Sequence, residues 1–320
     1  MNKASHILIT GASGFVGRHL IRALKEHGLS NLTGLYHSAC PEIMDIRWHK
    51  VDLRDPDSLE EVILNVDTVI HLAALVSYDR KDTTALRKVN YYGTRDLVNI
   101  CLQQGVRRLI YLSSASTLTR SANPLLVGNL LPGRPIFHSH YARSKYLGEL
   151  EVIRGSAEGL WTCILNPTLI LGADNWMHGS NRVIREIAAG MPYYPTGNLA
   201  VTSLDTVIAA LIRAILEDID CGPQLIYDST MSYRQLFEMT CRQAGIGMPH
   251  RSLTPLLTLA HHTIQTLKTA ISGKRPFVTP EAAKIASLPF TYVRSEQDLF
   301  NPAPNLDPEL LIREVLNYNN

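Results

Sequence analysis

The chain has 320 residues and a mass of 35.6 kDa, with 45% apolar residues, 19% charged residues and a formal charge of +2. That length buries a large core, as one large domain or a domain with an appended lobe, and a charge so near zero supplies no long-range field for holding nucleic acid. The five cysteines, at 40, 101, 163, 221 and 241, are odd in number and scattered, which suits reduced thiols in a cytoplasm and neither a disulfide framework nor a metal site.

No leader is expected, because the first strand begins by about His6. No apolar run reaches the ~20 residues of a membrane span. The best of them, Pro255 to Ile271, carries His261, His262, Gln265 and Lys268 and reads as an amphipathic helix of a lobe.

In chain order, His6 to Thr10 is an apolar strand that feeds a turn with glycines at 11, 14 and 17, and a helix with Phe15, Leu20, Ile21 and Leu24 on one side follows at once. The order strand, glycine turn, helix is that of a dinucleotide site. Gly11 permits the tight turn, Gly14 lets the backbone approach a pyrophosphate, and Gly17 lets the helix lie close on the strand. The orphan N–H groups and positive dipole end of the helix then face the phosphates. A lone glycine triplet also marks ordinary turns, and its G-x-x-G-x-x-G spacing differs from the G-x-G-x-x-G of many dehydrogenases.

Asn31 to Tyr36 is the second strand, followed by His37 and Ser38. An acidic residue at this place holds the adenosine ribose hydroxyls, whereas basic or small polar residues make room for a 2′-phosphate. With no acid here and Arg18 after the last glycine, NADP is preferred, and NAD stays open as the alternative. Ile46 to Val51 is the third strand, with Asp52 and Leu53 after it at the place of the adenine edge. Asp55-Pro56 starts a helix to about Leu64, and Val66 to Leu72 is a fourth strand ending H-L-A-A, where small side chains let a ligand come close. His71 reads as a satisfied core histidine. One long helix is expected from Thr83 to Gln104, ended by Gly105 and containing Asn90, and Arg107 to Leu112 is the fifth strand.

Alternating strands and helices predict a doubly wound, mostly parallel sheet, with its ligand at the carboxyl ends of the strands. The glycine turn, Ala73-Ala74 and Ser113-Ser114 then surround one crevice. Ser121 to Pro135, rich in Pro, Gly and Asn, reads as a loop and a mobile flap. A helix start follows, H-S-H-Y-A-R-S-K, with Tyr141 and Lys145 four apart on one face. A lysine ammonium beside the phenol, plus a positive nicotinamide ring, favours phenolate. Tyr141 then trades a proton with a substrate oxygen that Ser114 orients. A Y-x-x-x-K pair alone is common on helices; the glycine turn and the S-S strand end give this one its meaning.

Trp161 to Leu165 is the sixth strand. Pro195 to Leu204 leads into a helix through about Glu217, and Pro223 to Tyr227 is a strand that rejoins the sheet. The rest is a helical lobe: Ser232 caps a helix to about Ala244, Leu253 to Ile271 gives another, Pro280 starts a third, and Asp307-Pro308 opens the last, Glu309 to Tyr318. Trp176, Met177, Tyr193 and Tyr194 are either an apolar substrate lining or plain core. His138 and His140 stand at the lip, as substrate contacts or as exposed loop histidines.

The chain resembles the extended short-chain dehydrogenase/reductase family, also called the NAD-dependent epimerase/dehydratase family. The resemblance rests on T-G-A-S-G-F-V-G (10–17), D-L (52–53), H-L-A-A (71–74), N-Y-Y-G-T (90–94), Y-L-S-S-A-S (111–116), Y-A-R-S-K (141–145) and N-P-T-L-I-L-G (166–172). It implies an α/β fold, a Rossmann-type doubly wound parallel sheet over residues 1–170 with 203–229 returning to it, and a smaller, mostly helical substrate lobe over 171–320. It implies Ser114, Tyr141 and Lys145 as catalytic residues with Asn90 in support. Cofactor contacts are implied for Gly11, Ser13, Gly14, Phe15, Val16, Gly17, Arg18, His37, Asp52, Leu53, Leu72, Ala73, Ala74, Ser113, Tyr141, Lys145 and Pro167, and no metal. Nucleotide-sugar members usually carry an asparagine near the position of Leu169 and an arginine before the segment matching Ala200 to Asp205, both for the diphosphate, and neither is evident here; Arg182 and Arg185 are the cations left. The expected partner is a small-molecule substrate, with a homodimer left open. Three functions fit: an NADP-dependent carbonyl reductase or alcohol dehydrogenase, a nucleotide-sugar epimerase or dehydratase that keeps its cofactor, and a dinucleotide sensor without turnover.

Overall fold

Strands covered on both faces need apolar side chains at every position, not at alternate ones, and four segments of this chain meet that demand: Ile7–Thr10 (β1), Thr68–His71 (β4), Arg108–Leu112 (β5) and Trp161–Pro167 (β8) are buried almost throughout. They form the middle of a seven-stranded sheet. Leu32–Tyr36 (β2) and Arg47–Lys50 (β3) extend it on one side and Cys221–Ile226 (β12) on the other, in the order β12-β8-β5-β4-β1-β2-β3 with every pair parallel. This is a doubly wound Rossmann-type sheet, and its strand order reverses between β1 and β4, where the crevice opens. The structure is a computed structural model that describes residues 5–38, 40, 45–129, 131–174, 179–253, 278–294, 298–300 and 307–318.

Helices Phe15–Glu26 (α1) and Leu204–Leu216 (α7) seal one face of the sheet with Leu20, Ile21, Leu24, Leu211 and Ile215, all fully buried. Pro56–Ile63 (α2), Thr94–Gln103 (α4) and His140–Ala157 (α5) seal the other, where Leu59, Leu97, Val98 and Val152 are fully buried. The returning strand β12 pairs with β8 as its composition predicts, and brings Cys221 to Cys163 with the two sulfurs 3.2 Å apart. Cys101, Cys163, Cys221 and Cys241 are free thiols.

The helix expected over Thr83 to Gln104 is helical throughout but not uniform. Thr83–Leu86 (α3) passes into a wider π-helical stretch, Arg87–Gly93, before α4 resumes the ordinary pitch. The expected loop at 121–135 is also corrected: Thr119–Ala122 (β6) and Leu125–Val127 (β7) form an antiparallel hairpin, and β7 pairs in parallel with Phe290–Tyr292 (β15). A ladder to a distant strand satisfies the backbone groups that a flap would leave to water.

The smaller part holds Leu169–Leu171 (β9), Asn198–Ser203 (β11) and Ser229–Ser232 (β13) as a three-stranded sheet. Around it lie Arg182–Ala188 (α6), Tyr233–Ala244 (α8) and Pro308–Asn317 (α10), while Pro280–Ala286 (α9) precedes β15. Tyr193–Tyr194 (β10) and Arg251–Ser252 (β14) make a short pair. Ser232 caps α8 with a full capping box to Gln235. The helix expected over Leu253 to Ile271 lies outside the described residues, Leu253 apart. No described helix is long and apolar enough to cross a membrane.

Candidate functional site

At the carboxyl end of β1, Gly11 takes φ +67, a region that side chains with a Cβ rarely adopt. A Cβ there would stand 2.8 Å from the Ala73 nitrogen, so β4 and the glycine turn touch backbone to backbone. At Gly17 it would lie 2.4 Å from the Gly11 carbonyl oxygen, which is the close helix–strand packing expected of that position. Gly14 is exposed and is the N-cap of α1, with no side chain capping the helix. The free N–H groups of that first turn, reached through an open Gly14, fit a dinucleotide pyrophosphate. Ser13 and Val16 belong to the same turn, and Phe15 reaches across to Gly172, whose added Cβ would meet the Phe15 ring at 3.4 Å.

The residues after β2 and β3 are arranged differently from the expectation. Arg18 does not reach towards the β2 end: its guanidinium donates to the Ser13 carbonyl at 3.0 Å and pairs with Asp174 at 3.3 Å. His37 is the basic group that remains there, 3.5 Å from Asp52. The Arg54 guanidinium grips Asp52 at 2.5 Å and holds its carboxyl well below the usual range. Leu53 is buried, packed under Gly93, and so acts on the fold and not as an open contact surface.

A cavity of about 340 Å³ opens at the carboxyl ends of β4, β5 and β8. Leu72, Ala74, Ser113, Ser114, Tyr141, Lys145 and Pro167 all line it, so residues drawn from β4, β5, α5 and β8 converge on one space. Ser114 caps a 3₁₀ turn over Ala115–Thr117, which aims its hydroxyl at the cavity. Ser139 caps α5, accepting from the Ala142 N–H, and this starts the helix so that Tyr141 and Lys145 face inward. Burial pushes the Tyr141 phenol up, its neighbour Tyr78 adds to this at a ring separation of 5.9 Å, and the hydrogen bond with Ser114 works the other way. Burial thus favours the neutral phenol, against the pull towards phenolate expected of Lys145 together with a positive nicotinamide ring. Burial also lowers Lys145, to about 7, while Glu149 opposes the shift. The ammonium donates to the Leu112 carbonyl at 2.9 Å and lies 4.2 Å from the centre of the Tyr111 ring.

Asn90 does not line the cavity. It sits in the π-helical stretch, donates to the Leu75 carbonyl at 2.9 Å and to Ser144 Oγ at 2.9 Å, and accepts from the Leu75 N–H at 2.8 Å. Ser144 in turn donates to the Tyr141 carbonyl at 2.8 Å, so Asn90 ties the β4 loop to the helix of Tyr141. His71 is fully buried between Thr10 Oγ1 at 2.7 Å and Thr94 Oγ1 at 3.0 Å. Thr94 gives its proton to the Asn90 carbonyl, so its oxygen accepts from His71 Nε2–H, and Nδ1 accepts from Thr10. Burial, with Lys145 nearby, lowers the His71 pKa to about 3.

The aromatic surface comes from residues that the sequence did not single out. Tyr78, Tyr233, Phe290 and Tyr292 line the cavity, joined by Ile285 and by His138. Tyr193 and Tyr194 do not: Tyr194 packs on Phe237 in the lobe core with ring centres 6.2 Å apart. Trp176 and Met177 lie outside the described residues. His140 is not in the lining; its backbone N–H donates to Glu281 at 2.9 Å and so pins α9 to the start of α5. Leu169 lines the cavity, whereas Arg182 and Arg185 both lie on Glu186, at 3.3 and 2.6 Å. Among the described residues of the lining, Lys145 is the one charged side chain.

The family model for the NAD dependent epimerase/dehydratase family matches residues 7–219. The chain is 30% identical over 190 residues to a 2-alkyl-3-oxoalkanoate reductase of Stenotrophomonas maltophilia (strain K279a), a stretch that takes in 57% of this chain and 54% of the reductase. It thus spans about half the length of that relative. It is 27% identical over 259 residues to sterol demethylase protein B of Methylococcus capsulatus (strain ATCC 33009 / NCIMB 11132 / Bath), 78% of each. Among solved structures it is similar to MoeE5 in complex with UDP-glucose and NAD, with a TM-score of 0.73, 22% identity and 98% of each chain covered, a likeness of fold.

Proposed function

The chain belongs to the NAD dependent epimerase/dehydratase family, and from that premise we propose that it is a nicotinamide-dependent oxidoreductase that interconverts a carbonyl and a secondary alcohol on a small organic substrate, with Tyr141 as the acid/base. Residues 1–170, with 203–229, would hold the cofactor, and 171–320 the substrate. The bound nicotinamide supplies the hydride transfer. The chain's own residues orient the substrate, shed water and move the proton.

Ser114 and Tyr141 line the same cavity, where a substrate oxygen can lie against both hydroxyls. A neutral phenol is the form that gives a proton to a carbonyl oxygen as negative charge grows there. Lys145, one helical turn on, stabilises the phenolate that remains. The walls of Tyr78, Tyr233, Phe290 and Tyr292 displace water and leave room for an apolar body.

The observation that carries this reading is the composition of the cavity: Ser114, Tyr141 and Lys145 stand together in a described lining that holds no arginine and no carboxylate. A substrate diphosphate buried there would lack the cations it needs, and an unpaired buried charge costs several kcal/mol. We prefer NADP to NAD because β2 is followed by His37 and Ser38, neither an acid, and because the nearby Asp52 carboxylate is held by Arg54. Free thiols at Cys101, Cys163, Cys221 and Cys241 accord with a cytoplasmic setting. The test is to follow cofactor absorbance with a panel of aldehydes, ketones and secondary alcohols, and in parallel the thermal shift of the NADP-loaded protein with UDP- and dTDP-sugars. Turnover of apolar ketones or alcohols supports the reading. A shift with nucleotide sugars and no ketone turnover favours an epimerase or dehydratase instead.

A further inference from the structure

Glu149 takes no part in the chemistry above, yet it is 1% exposed. It lies on α5 one turn beyond Lys145 and two beyond Tyr141. One of its oxygens, Oε2, collects three donors: Ser113 Oγ at 2.6 Å, Asn166 Nδ2 at 2.7 Å and Thr117 Oγ1 at 2.9 Å. They come from the ends of β5 and β8 and from the 3₁₀ turn. The second N–H of Asn166 Nδ2 also reaches the Ser114 carbonyl at 3.2 Å, and Thr117 Oγ1, 2.9 Å from that carbonyl, has its one proton to give to either oxygen. The backbone of Ser114 is thereby fastened, through two side chains, to the helix that carries Tyr141 and Lys145.

Charge gives Glu149 a second task. The titratable groups around Lys145 are His71 from β4, Tyr111 from β5, and Tyr141 and Glu149 from its own helix. Burial keeps His71, Tyr111 and Tyr141 neutral. Glu149 is the one group among them that carries negative charge when ionised, and three donors converging on one oxygen favour that form.

We propose that Glu149 is a positioning residue that locks Ser114 to the Tyr141 helix and serves as the counter-charge that keeps Lys145 protonated. The part of this that concerns turnover rests on the oxidoreductase reading. Burial holds the Glu149 carboxyl above its ordinary range, while its hydrogen bonds and then Lys145 oppose the rise; the same carboxylate opposes the burial that lowers Lys145.

The Lys145 titration can be read without any substrate, by NMR of lysine-labelled protein, with the signal assigned through Lys145→Arg. In Glu149→Gln its midpoint falls by about one unit, the effect of removing a nearby opposite charge. A midpoint that does not fall overturns the proposal. With a ketone or alcohol that the wild type turns over, Glu149→Gln lowers kcat by at least about tenfold and moves the alkaline limb of the pH profile to lower pH, with cofactor affinity kept. Glu149→Asp keeps the charge but shortens the reach, so kcat falls while the limb stays in place. A uniform loss with an unmoved limb in Gln, or a wild-type rate in Asp, also overturns it, and Asp decides alone if Gln fails to fold. If the midpoint falls but the wild type turns over no carbonyl or alcohol, the oxidoreductase reading is what fails.

Discussion

The Gly17 Cα stands so close to Gly11 that an added methyl would sit 2.4 Å from the Gly11 carbonyl oxygen and 2.6 Å from the Ala12 Cα. Both are backbone atoms, which cannot swing aside as a side chain can. Gly17→Ala therefore has to push α1 off β1, at about 1–3 kcal/mol. Thermal melts should show a Tm lower by several degrees, and calorimetry a loss of nicotinamide cofactor affinity of at least about tenfold, because the phosphate-facing helix end moves with the helix. A variant that keeps both wild-type values would mean that the turn is not the cofactor cradle.

Tyr141→Phe removes one hydroxyl and leaves the ring packed against Tyr78. Turnover should drop by about 10²–10⁴-fold while Tm and cofactor affinity stay near wild type. Steady-state kinetics on the substrate found in the panel, together with a cofactor titration, would reveal a phenol without an acid/base role as an unchanged kcat.

His71 sets an acid limit on stability. Its folded pKa of about 3 lies below the ordinary 6.5, so the unfolded chain binds the proton first. The contribution is present above pH 6.5 and is lost as the pH falls from there towards 3. Between pH 6.5 and 5 the loss from this group is about 2 kcal/mol. Urea melts across that interval should show the slope in the wild type and a flatter dependence in His71→Gln, whatever the variant's absolute stability; equal slopes would assign the acid sensitivity to other groups.

Cofactor choice should follow the end of β2. NADP is expected to bind more tightly than NAD by about 1–3 kcal/mol, and His37→Asp to narrow or reverse the difference, because a carboxylate there repels a 2′-phosphate and accepts from ribose hydroxyls. Calorimetric titration of both cofactors decides it. Equal affinities in the wild type would leave His37 without the part proposed for it.

Local chemistry was legible in the sequence and distant pairing was not. The glycines at 11, 14 and 17 and the pair Tyr141 and Lys145 declare their geometry within a turn or two of chain. The apolar runs of β1, β4, β5 and β8 declare a sheet covered on both faces. The hairpin at 119–127 stayed hidden because Pro124 and Gly128 read as turn residues and because the strand that steadies it, Phe290–Tyr292, lies far along the chain. For the same reason the sequence does not show that Tyr233, Phe290 and Tyr292 meet in the cavity, or that Arg18 pairs with Asp174. Glu149 could have been noticed: an acid four residues past Lys145, on the same face of a helix, is written in the sequence.

The wide turn at Arg87–Gly93 holds one more residue than an ordinary helix would need for the same rise. Asn90 reaches Leu75 and Ser144 from within that stretch. Deleting a single residue from the stretch would let the helix relax to its usual pitch over the same rise, and the side chains of the stretch itself, Asn90 among them, would be turned away from the directions they now take. Length, at this place, is as much a constraint as residue type: a substitution here changes one contact, whereas a frame one residue shorter changes which side of the helix looks towards the site.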